Sequence, residues 1–133
     1  MAVSMNFREI EIFKPYANEF PEHLLTDAGA ADEVVEQWQA AELLRIAKRG
    51  ESILGMYAMH RVDKESFHLS GVVVDFPQRH QGLGRWLTGH AIGVAESKGG
   101  RHLFLPSVGG SRCFTHMGFQ RRDEGFYFDM IQE

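Results

Sequence analysis

The feature that most constrains the fold is an apolar run that leads through a short loop into a glycine-rich helix start. Residues 72–74 are all valine, which is typical of a central strand buried on both faces. After the sequence Gly82-Leu83-Gly84, apolar residues recur at helical spacing as far as Ala95. This succession favours a domain that mixes strands with helices.

The rest of the chain alternates between strand-like and helix-like patterns. Strands are predicted at residues 7–13, 43–47, 52–59, 67–74, 102–105 and 126–131. Interrupted helices are predicted between residues 15 and 41. Further helices are predicted over residues 83–98 and within residues 107–117. Asp32 is expected to cap one of the N-terminal helices. The order of strand, helices, three-strand meander, helix, strand, helix and strand predicts one α+β domain over residues 1–133.

Composition narrows the class of protein. The 133 residues, 44% of them hydrophobic, suffice for one core without disulfides. A net charge of -4 argues against a nucleic-acid-binding protein, and no apolar run approaches the roughly 20 residues of a membrane helix. With Cys113 as the one cysteine and no metal-ligand spacing among the histidines, neither a disulfide nor a metal is predicted. The N-terminus does not resemble a signal peptide, so a cytoplasmic protein is expected.

The loop before the long helix has the composition of an anion-binding site. A helix start leaves backbone N–H groups unpaired and carries partial positive charge, so it binds phosphate readily. Gly82 and Gly84 let a phosphate approach the backbone, and Arg79 adds positive charge. Arg85 stands where a Walker A loop has lysine, and Leu87 where a dinucleotide fingerprint has glycine or alanine. A helix that merely starts at a glycine is the alternative.

Two segments together resemble the GNAT family of N-acetyltransferases. The sequence Arg79-x-x-Gly82-x-Gly84, after an apolar strand, resembles the family's pyrophosphate loop. Residues 113–119, Cys-Phe-Thr-His-Met-Gly-Phe, resemble its closing motif, a short helix that ends in Gly-Phe and leads to a strand. The resemblance covers residues 42–133 as an acetyl-CoA-binding core, and residues 1–41 correspond to the family's variable entry on the acceptor side.

The resemblance implies a mixed sheet whose two central parallel strands splay apart, with acetyl-CoA as the co-substrate between them. The pyrophosphate would bind the backbone N–H groups of residues 81–84, and the pantetheine arm would pair like an added strand along residues 72–74. The thioester would then end near the splay, where an amine attacks it. The expected cofactor-binding residues are Val72, Val73, Val74, Arg79, Gln81, Gly82, Leu83, Gly84, Arg85, Ser107 and Phe114.

Acetyl transfer requires a group that takes a proton from the amine and benefits from one that protonates the departing thiol. Phe114 stands where the resemblance places a tyrosine that acts as the general acid, so Cys113, His116 or water would take over that role. For the base, His68 and Ser70 lie two apart on the strand that enters the cleft, and they are expected on one face. An ordinary sheet histidine is the alternative for His68.

The sequence leaves two functions open. The first is an N-acetyltransferase that acts on a primary amine of a small molecule or peptide. The second is a sensor that binds acetyl-CoA and regulates a protein partner without turnover, which the missing hydroxyl at Phe114 favours. No nucleic-acid or membrane partner is predicted. The aromatic segment 126–128 either offers a pairing edge for a homodimer or belongs to the core.

Overall fold

The three-strand meander expected from the middle of the chain forms part of one seven-stranded mixed sheet. The structure, a computed structural model, describes residues 6–106, 111–122 and 125–130, and of residues 111–113 the backbone alone. The strands are β1 (Glu11–Phe13), β2 (Leu43–Arg49), β3 (Ser52–Arg61), β4 (Ser66–Val74), β5 (His102–Pro106), β6 (Gln120–Arg122) and β7 (Gly125–Asp129). Their order is β1-β2-β3-β4-β5-β7-β6, with β4 and β5 parallel. The predicted α+β class is confirmed.

Four described helices flank this sheet. They are α1 (Glu22–Asp27), α2 (Asp32–Gln39), α3 (Leu83–Ser97) and α4 (Ser111–His116). The long helix predicted after the glycine loop is α3, and Gly99 follows it with a φ of +87°, the conformation in which glycine ends helices. In the described part of the chain α3 is the longest helix at 15 residues, and no helix there is long and apolar enough to cross a bilayer.

Each face of the sheet carries its own hydrophobic core, because successive residues of a strand point to opposite faces. On the α3 side, Leu87 of the helix packs in one cluster with Tyr57 of β3. On the α1–α2 side, Trp38 packs in a second cluster with Met56 and Ala58, also from β3. A strand residue that packs in one of these clusters therefore lies on the corresponding face of the sheet.

The central parallel strands separate, as the resemblance implies. β4 and β5 pair over three residues, and the last pair is His68 with Phe104. Beyond this point β4 continues to Val74 beside β3 alone, while β5 continues to Pro106 beside β7 alone. Residues 72–74 are consequently half-buried rather than buried on both faces as expected, since the opening removes their neighbour on one side.

A β-bulge at Ser70 changes which face the second half of β4 presents. Two consecutive residues of β3 pair with Leu69 and Gly71, so Ser70 is an extra residue without a partner on β3. Leu69 and Val72 both pack on the α3 side although they are three positions apart. The expectation that His68 and Ser70 share a face depends on side chains that alternate without interruption along β4. The bulge interrupts this alternation at Ser70, so the expectation no longer follows.

Two expectations for the N-terminal part are wrong. The strand expected over residues 7–13 is reduced to β1, because Phe7 begins a 3₁₀ turn and stacks on Trp86 with 5.1 Å between ring centroids. Asp32 is the first residue of α2, and Ala31 holds the cap position. The carboxylate of Asp32 still lies in the first turn, where it interacts favourably with the helix dipole.

The C-terminal strands also differ from expectation. β6 is not predicted from the sequence because Gln120–Arg122 contains no apolar residue. An edge strand can form without apolar residues. The last strand ends at Asp129, before the expected end at residue 131. β7 lies between β5 and β6, and its residues 125–127 pair with β6. A homodimer formed through residues 126–128 stays a prediction.

One polar pair lies at the α3-side core. The hydroxyl of Tyr57, a fully buried residue, lies 2.8 Å from Nδ1 of His90 on α3. Burial raises the pKa of Tyr57, and burial together with Arg45 lowers the pKa of His90. The tyrosine hydroxyl and the imidazole are therefore both neutral, and a hydrogen bond joins them.

We expect Tyr57→Phe to lower the free energy of unfolding by about 1–3 kcal/mol, because Nδ1 of His90 loses its hydrogen-bond partner. Urea denaturation followed by circular dichroism measures this change. Tyr16→Phe is the matched control, since Tyr16 is 77% exposed and its hydroxyl reaches solvent. An equal unfolding midpoint for both variants and the parent would contradict the role of this hydrogen bond.

Candidate functional site

Most residues expected to bind an acyl-CoA meet in one cleft at the open end of β4. The cleft has a volume of about 330 Å³, and strand, loop and helix all contribute to its walls. Among its lining residues are Val72, Val73, Val74, Arg79, Leu83 and Gly84. The cleft therefore joins the two segments that the sequence singled out, the valine run and the start of α3.

The valine run supplies an unused strand edge to this cleft. Between Leu69 and Val74 the backbone of β4 pairs with β3 on one side, and β5 has already diverged on the other. Its N–H and C=O groups on the β5 side therefore have no neighbouring strand. Such an edge binds an extended chain of amide groups in the way that it would bind another strand.

The start of α3 supplies hydrogen-bond donors. The helix is capped by Gly82 with a φ of +88°, a conformation that residues with a side chain rarely adopt. The first helical hydrogen bond runs from the N–H of Trp86 to the carbonyl of Gly82 over 3.0 Å. The N–H groups of residues 83–85 precede this bond and have no acceptor within the helix. They lie at the positive end of the helix dipole, which attracts anions.

Arg79 adds a fixed positive charge beside these donors. Its Nε donates to the carbonyl of Val74 over 3.1 Å, and its guanidinium lies 5.3 Å from the ring centroid of Phe76. These contacts hold the side chain across the loop while the remaining guanidinium N–H groups stay available. The described lining of the cleft includes no acidic side chain, so its charge is suited to a phosphate-bearing ligand.

A second, larger cleft lies beside the same helix start. It has a volume of about 570 Å³, and Phe7, Trp86 and His90 contribute to its mostly apolar wall. Gly82 and Arg85, both expected to contact the cofactor, line this cleft and not the one that holds Arg79. The start of α3 thus borders two clefts, whereas the sequence pattern suggests one.

His68 lies at the closed end of the opening between β4 and β5. Its ring lies 4.8 Å from that of His60 and 5.4 Å from that of Phe104, measured between centroids. Nδ1 of His68 is buried and has no hydrogen-bond partner among the described residues. Burial, and then the nearby His60, lowers the pKa of His68, so its imidazole is neutral at pH 7. A neutral ring with an unsatisfied nitrogen is suited to accept a proton there.

Two aromatic residues of this region were not predicted as site residues from the sequence. Phe104 and Tyr127 stack with 4.8 Å between their ring centroids, on the same side of the sheet as His68. A Cβ at Gly125 would lie 2.9 Å from Phe104 Cε1, so the glycine makes space for that ring. Alternation within β5 and β7 identifies these side chains only once the strand pairing is known.

The structure describes only part of the expected acid region. Phe114 of α4 is half-buried, and its ring lies 5.7 Å from that of Phe119 and 5.4 Å from that of Phe126. His116 is exposed at the last position of α4. Ser107 and the side chain of Cys113 lie outside the described residues. Phe114 therefore belongs to an aromatic cluster on the α3 side and carries no proton to donate.

A search for metal-ligating groups among the described residues finds no cluster of three or more His, Cys, Asp or Glu side chains. Lys48 and Glu19 form an ion pair at 2.8 Å, and His102 Nδ1 lies 2.8 Å from the carboxylate of Asp129. Neither pair includes a residue of the two clefts or His68. Near the splay, the described residues offer the imidazole of His68 and backbone groups.

A model of the acetyltransferase (GNAT) family matches residues 9–119 of this chain. No curated protein matches the sequence significantly. Among solved structures, a GNAT family acetyltransferase from Elizabethkingia anophelis with acetyl-CoA bound is 24% identical, with a TM-score of 0.75 over 86% of this chain and 78% of that chain. An acetyltransferase from Bacillus subtilis in complex with CoA is 16% identical, with a TM-score of 0.75 over 92% and 99%.

A GNAT family acetyltransferase from Brucella melitensis in complex with acetyl-CoA is similar to the same extent. It is 18% identical, with a TM-score of 0.73 over 93% of this chain and 90% of that chain. At such identities the likeness to solved structures establishes the fold. The family match over most of the chain is the independent finding, and it agrees with the splayed sheet and the glycine loop.

Proposed function

Because this chain belongs to the acetyltransferase (GNAT) family, we propose that it transfers an acetyl group from acetyl-CoA to a primary amine of a small molecule or peptide. The observation that carries the proposal is the cleft in which the free edge of β4 meets the donor-rich start of α3 and Arg79. Structures of similar fold from Elizabethkingia anophelis and Brucella melitensis were solved with acetyl-CoA.

The groups that line the cleft follow the order of the pyrophosphate and the pantetheine arm along acetyl-CoA. The pyrophosphate is matched by the N–H groups of residues 83–85 and the charge of Arg79. The amide groups of the pantetheine arm are matched by the edge along residues 72–74 that faces away from β3 and has no neighbouring strand. An arm bound along this edge leads toward His68, where β4 and β5 separate.

The amine must lose a proton to react. An alkyl ammonium of pKa about 10.4 is deprotonated in roughly one molecule in 2,500 at pH 7, which adds about 4.6 kcal/mol to the apparent barrier. In the proposed reaction the amine nitrogen attacks the thioester carbonyl carbon, the carbon–sulfur bond breaks, and CoA departs. His68 takes the proton that the amine loses, directly or through water, because its lowered pKa keeps the ring neutral.

The departing thiolate needs less assistance than the amine. A thiol of pKa about 8.5 is a fairly good leaving group, so a proton donor is useful rather than essential. Phe114 has no hydroxyl, and the described part of α4 shows its ring packed with Phe119 and Phe126. We therefore propose that water protonates the thiolate and that the main catalytic contribution comes from the base.

Release of free CoA tests the function. Acetyl-CoA is mixed with the protein and a panel of primary amines, and the new thiol is followed with a disulfide reagent. Amine-dependent release well above the rate without protein supports the transferase. Acetyl-CoA binding by calorimetry without release in the presence of any amine supports the second candidate, a cofactor-binding sensor, which Phe114 favours. Absence of acetyl-CoA binding contradicts both.

We expect Phe114→Tyr to fold and to have a kcat no lower than that of the parent protein. Phe114 is half-buried and not fully enclosed, and an added acid can raise the rate within the range known for acid catalysis. The matched control is Phe119→Tyr, which adds the same hydroxyl to a ring of this cluster that is only 3% exposed. We expect the control to lose stability without a gain in rate. A large loss of kcat in Phe114→Tyr would show that the hydroxyl displaces a reacting group.

A further inference from the structure

A continuous row of side chains crosses the sheet on the α1–α2 side. The ring of His60 lies 4.8 Å from that of His68, which lies 5.4 Å from Phe104, which in turn lies 4.8 Å from Tyr127. The guanidinium of Arg122 closes the row 4.6 Å from the Tyr127 ring centroid. The row runs from β3 through β4, β5 and β7 to β6 without interruption.

The middle of this row is not part of either hydrophobic core. Phe104 and Tyr127 are half-buried, yet neither belongs to the cluster under α3 or to the cluster under α1 and α2. The cluster under α1 and α2 takes its strand residues from β2, β3 and β4, so the described helices leave this face of β5 and β7 uncovered. Aromatic surface that is rimmed by polar side chains is typical of a binding site.

The row also passes through the place where the proposed reaction occurs. His68 and Phe104 are the last residues paired between β4 and β5, so the strands diverge directly beyond them. A molecule that lies on Phe104 and Tyr127 therefore has one end at His68. No other described aromatic pair outside the two cores is adjacent to this opening.

The charges along the row distinguish its two ends. Arg122 holds a permanent positive charge at the β6 end, and His68 is held neutral at the β4 end. On the same face, His102 Nδ1 lies 2.8 Å from the carboxylate of Asp129, and both side chains are exposed. An ammonium group is therefore repelled from the Arg122 end and accepted at the His68 end. Aromatic faces additionally attract cations, which favours an amine over an anion on this surface.

We propose that the acceptor is a primary amine joined by a short saturated chain to an aromatic ring, with the ring on Phe104 and Tyr127 and the amine at His68. This inference rests on the proposed transferase function and names its substrate class. The ring centroids of His68 and Phe104 lie 5.4 Å apart, a distance that a short saturated chain between the amine and the ring can span. Phe104 and Tyr127 are then specificity-determining residues, which recognise the ring by stacking.

Two amines of the same shape test the role of aromatic stacking. The protein is assayed for CoA release with 2-phenylethylamine and with 2-cyclohexylethylamine, which has the same skeleton but no π system. We expect kcat/KM to be about fivefold higher for the phenyl compound, the size of a stacking contribution. Equal kcat/KM for the two amines, or a preference for the cyclohexyl compound, would overturn the inference.

Two variants then test whether the ring of Tyr127 causes the preference for the phenyl compound. Tyr127→Leu is expected to remove most of the fivefold ratio while leaving the KM for acetyl-CoA unchanged. Phe128→Leu removes a ring from the next residue of the same strand, which packs on the α3 side, and it is expected to keep the ratio. A ratio that survives Tyr127→Leu, in protein shown to be folded by circular dichroism, would contradict the assignment.

The outcomes separate this inference from the function on which it rests. Release of CoA with alkyl or amino-acid amines, but not with arylalkyl amines, overturns the inference and leaves the transferase intact. Acetyl-CoA binding without release by any amine overturns the transferase and the inference together. Release with 2-phenylethylamine at a higher kcat/KM than with the control amine supports both.

Discussion

Gly82→Glu is expected to abolish measurable acetyl-CoA binding, with a loss of affinity of at least about 100-fold. Gly82 caps α3 with a φ of +88°, and a side chain in that conformation costs roughly 1–2 kcal/mol. The new carboxylate would stand beside the N–H groups of residues 83–85 and repel the pyrophosphate. Isothermal titration calorimetry with acetyl-CoA measures the change, and a loss of this size corresponds to about 2.7 kcal/mol.

Gly99→Glu is the matched control for this variant. Gly99 follows the opposite end of the same helix with a φ of +87°, and a Cβ there has no neighbour within 4 Å. It therefore suffers the same backbone strain and gains the same charge at a distance from the cleft. We expect Gly99→Glu to bind acetyl-CoA as the parent protein does. Equal affinities of both variants would contradict a phosphate site at the start of α3.

The arrangement of the proposed cofactor cleft was predictable because it is encoded locally. The valine run at 72–74, the loop that contains Arg79 and the glycines at the start of α3 are neighbours in sequence, so periodicity and backbone chemistry predict their arrangement. The structure brings most of these residues into one cleft. The assignment of Gly82 and Arg85 to a neighbouring cleft was not visible, because it depends on Phe7, which is distant in the chain.

The proposed acceptor side was not predictable because it depends on strand pairing. Whether Phe104 and Tyr127 stack is decided by the register between β5 and β7, which no local pattern specifies. The bulge at Ser70 is an irregularity of the pairing between β3 and β4, and it invalidates any assignment of faces by counting in twos. The polar edge strand β6 carries no apolar signal, although its Arg122 completes the aromatic row.

His68→Gln is expected to lower kcat by about 100-fold and to leave the affinity for acetyl-CoA unchanged. The loss corresponds to the lower range for a general base, since water remains as a slower proton acceptor. Glutamine keeps a polar group of similar size beside Phe104, so the sheet is expected to fold. The control is His102→Gln, on the same face of the neighbouring strand, where the imidazole binds Asp129 at 2.8 Å. A kcat within about threefold of the parent value for His68→Gln would exclude this histidine as the base.

The pH dependence of kcat at saturating amine separates a base from a structural side chain. Burial, and then His60, lowers the pKa of His68 below 6.5, so kcat is expected to be constant above pH 7 and to fall at lower pH with a midpoint under 6.5. His60→Gln removes the neighbouring charge that opposes protonation of His68, so the midpoint is expected to move upward. This variant should therefore be slower than the parent near pH 6 and equal to it at pH 8. An acid limb that persists in His68→Gln would assign the titration to another group, because glutamine has no proton to gain in this range.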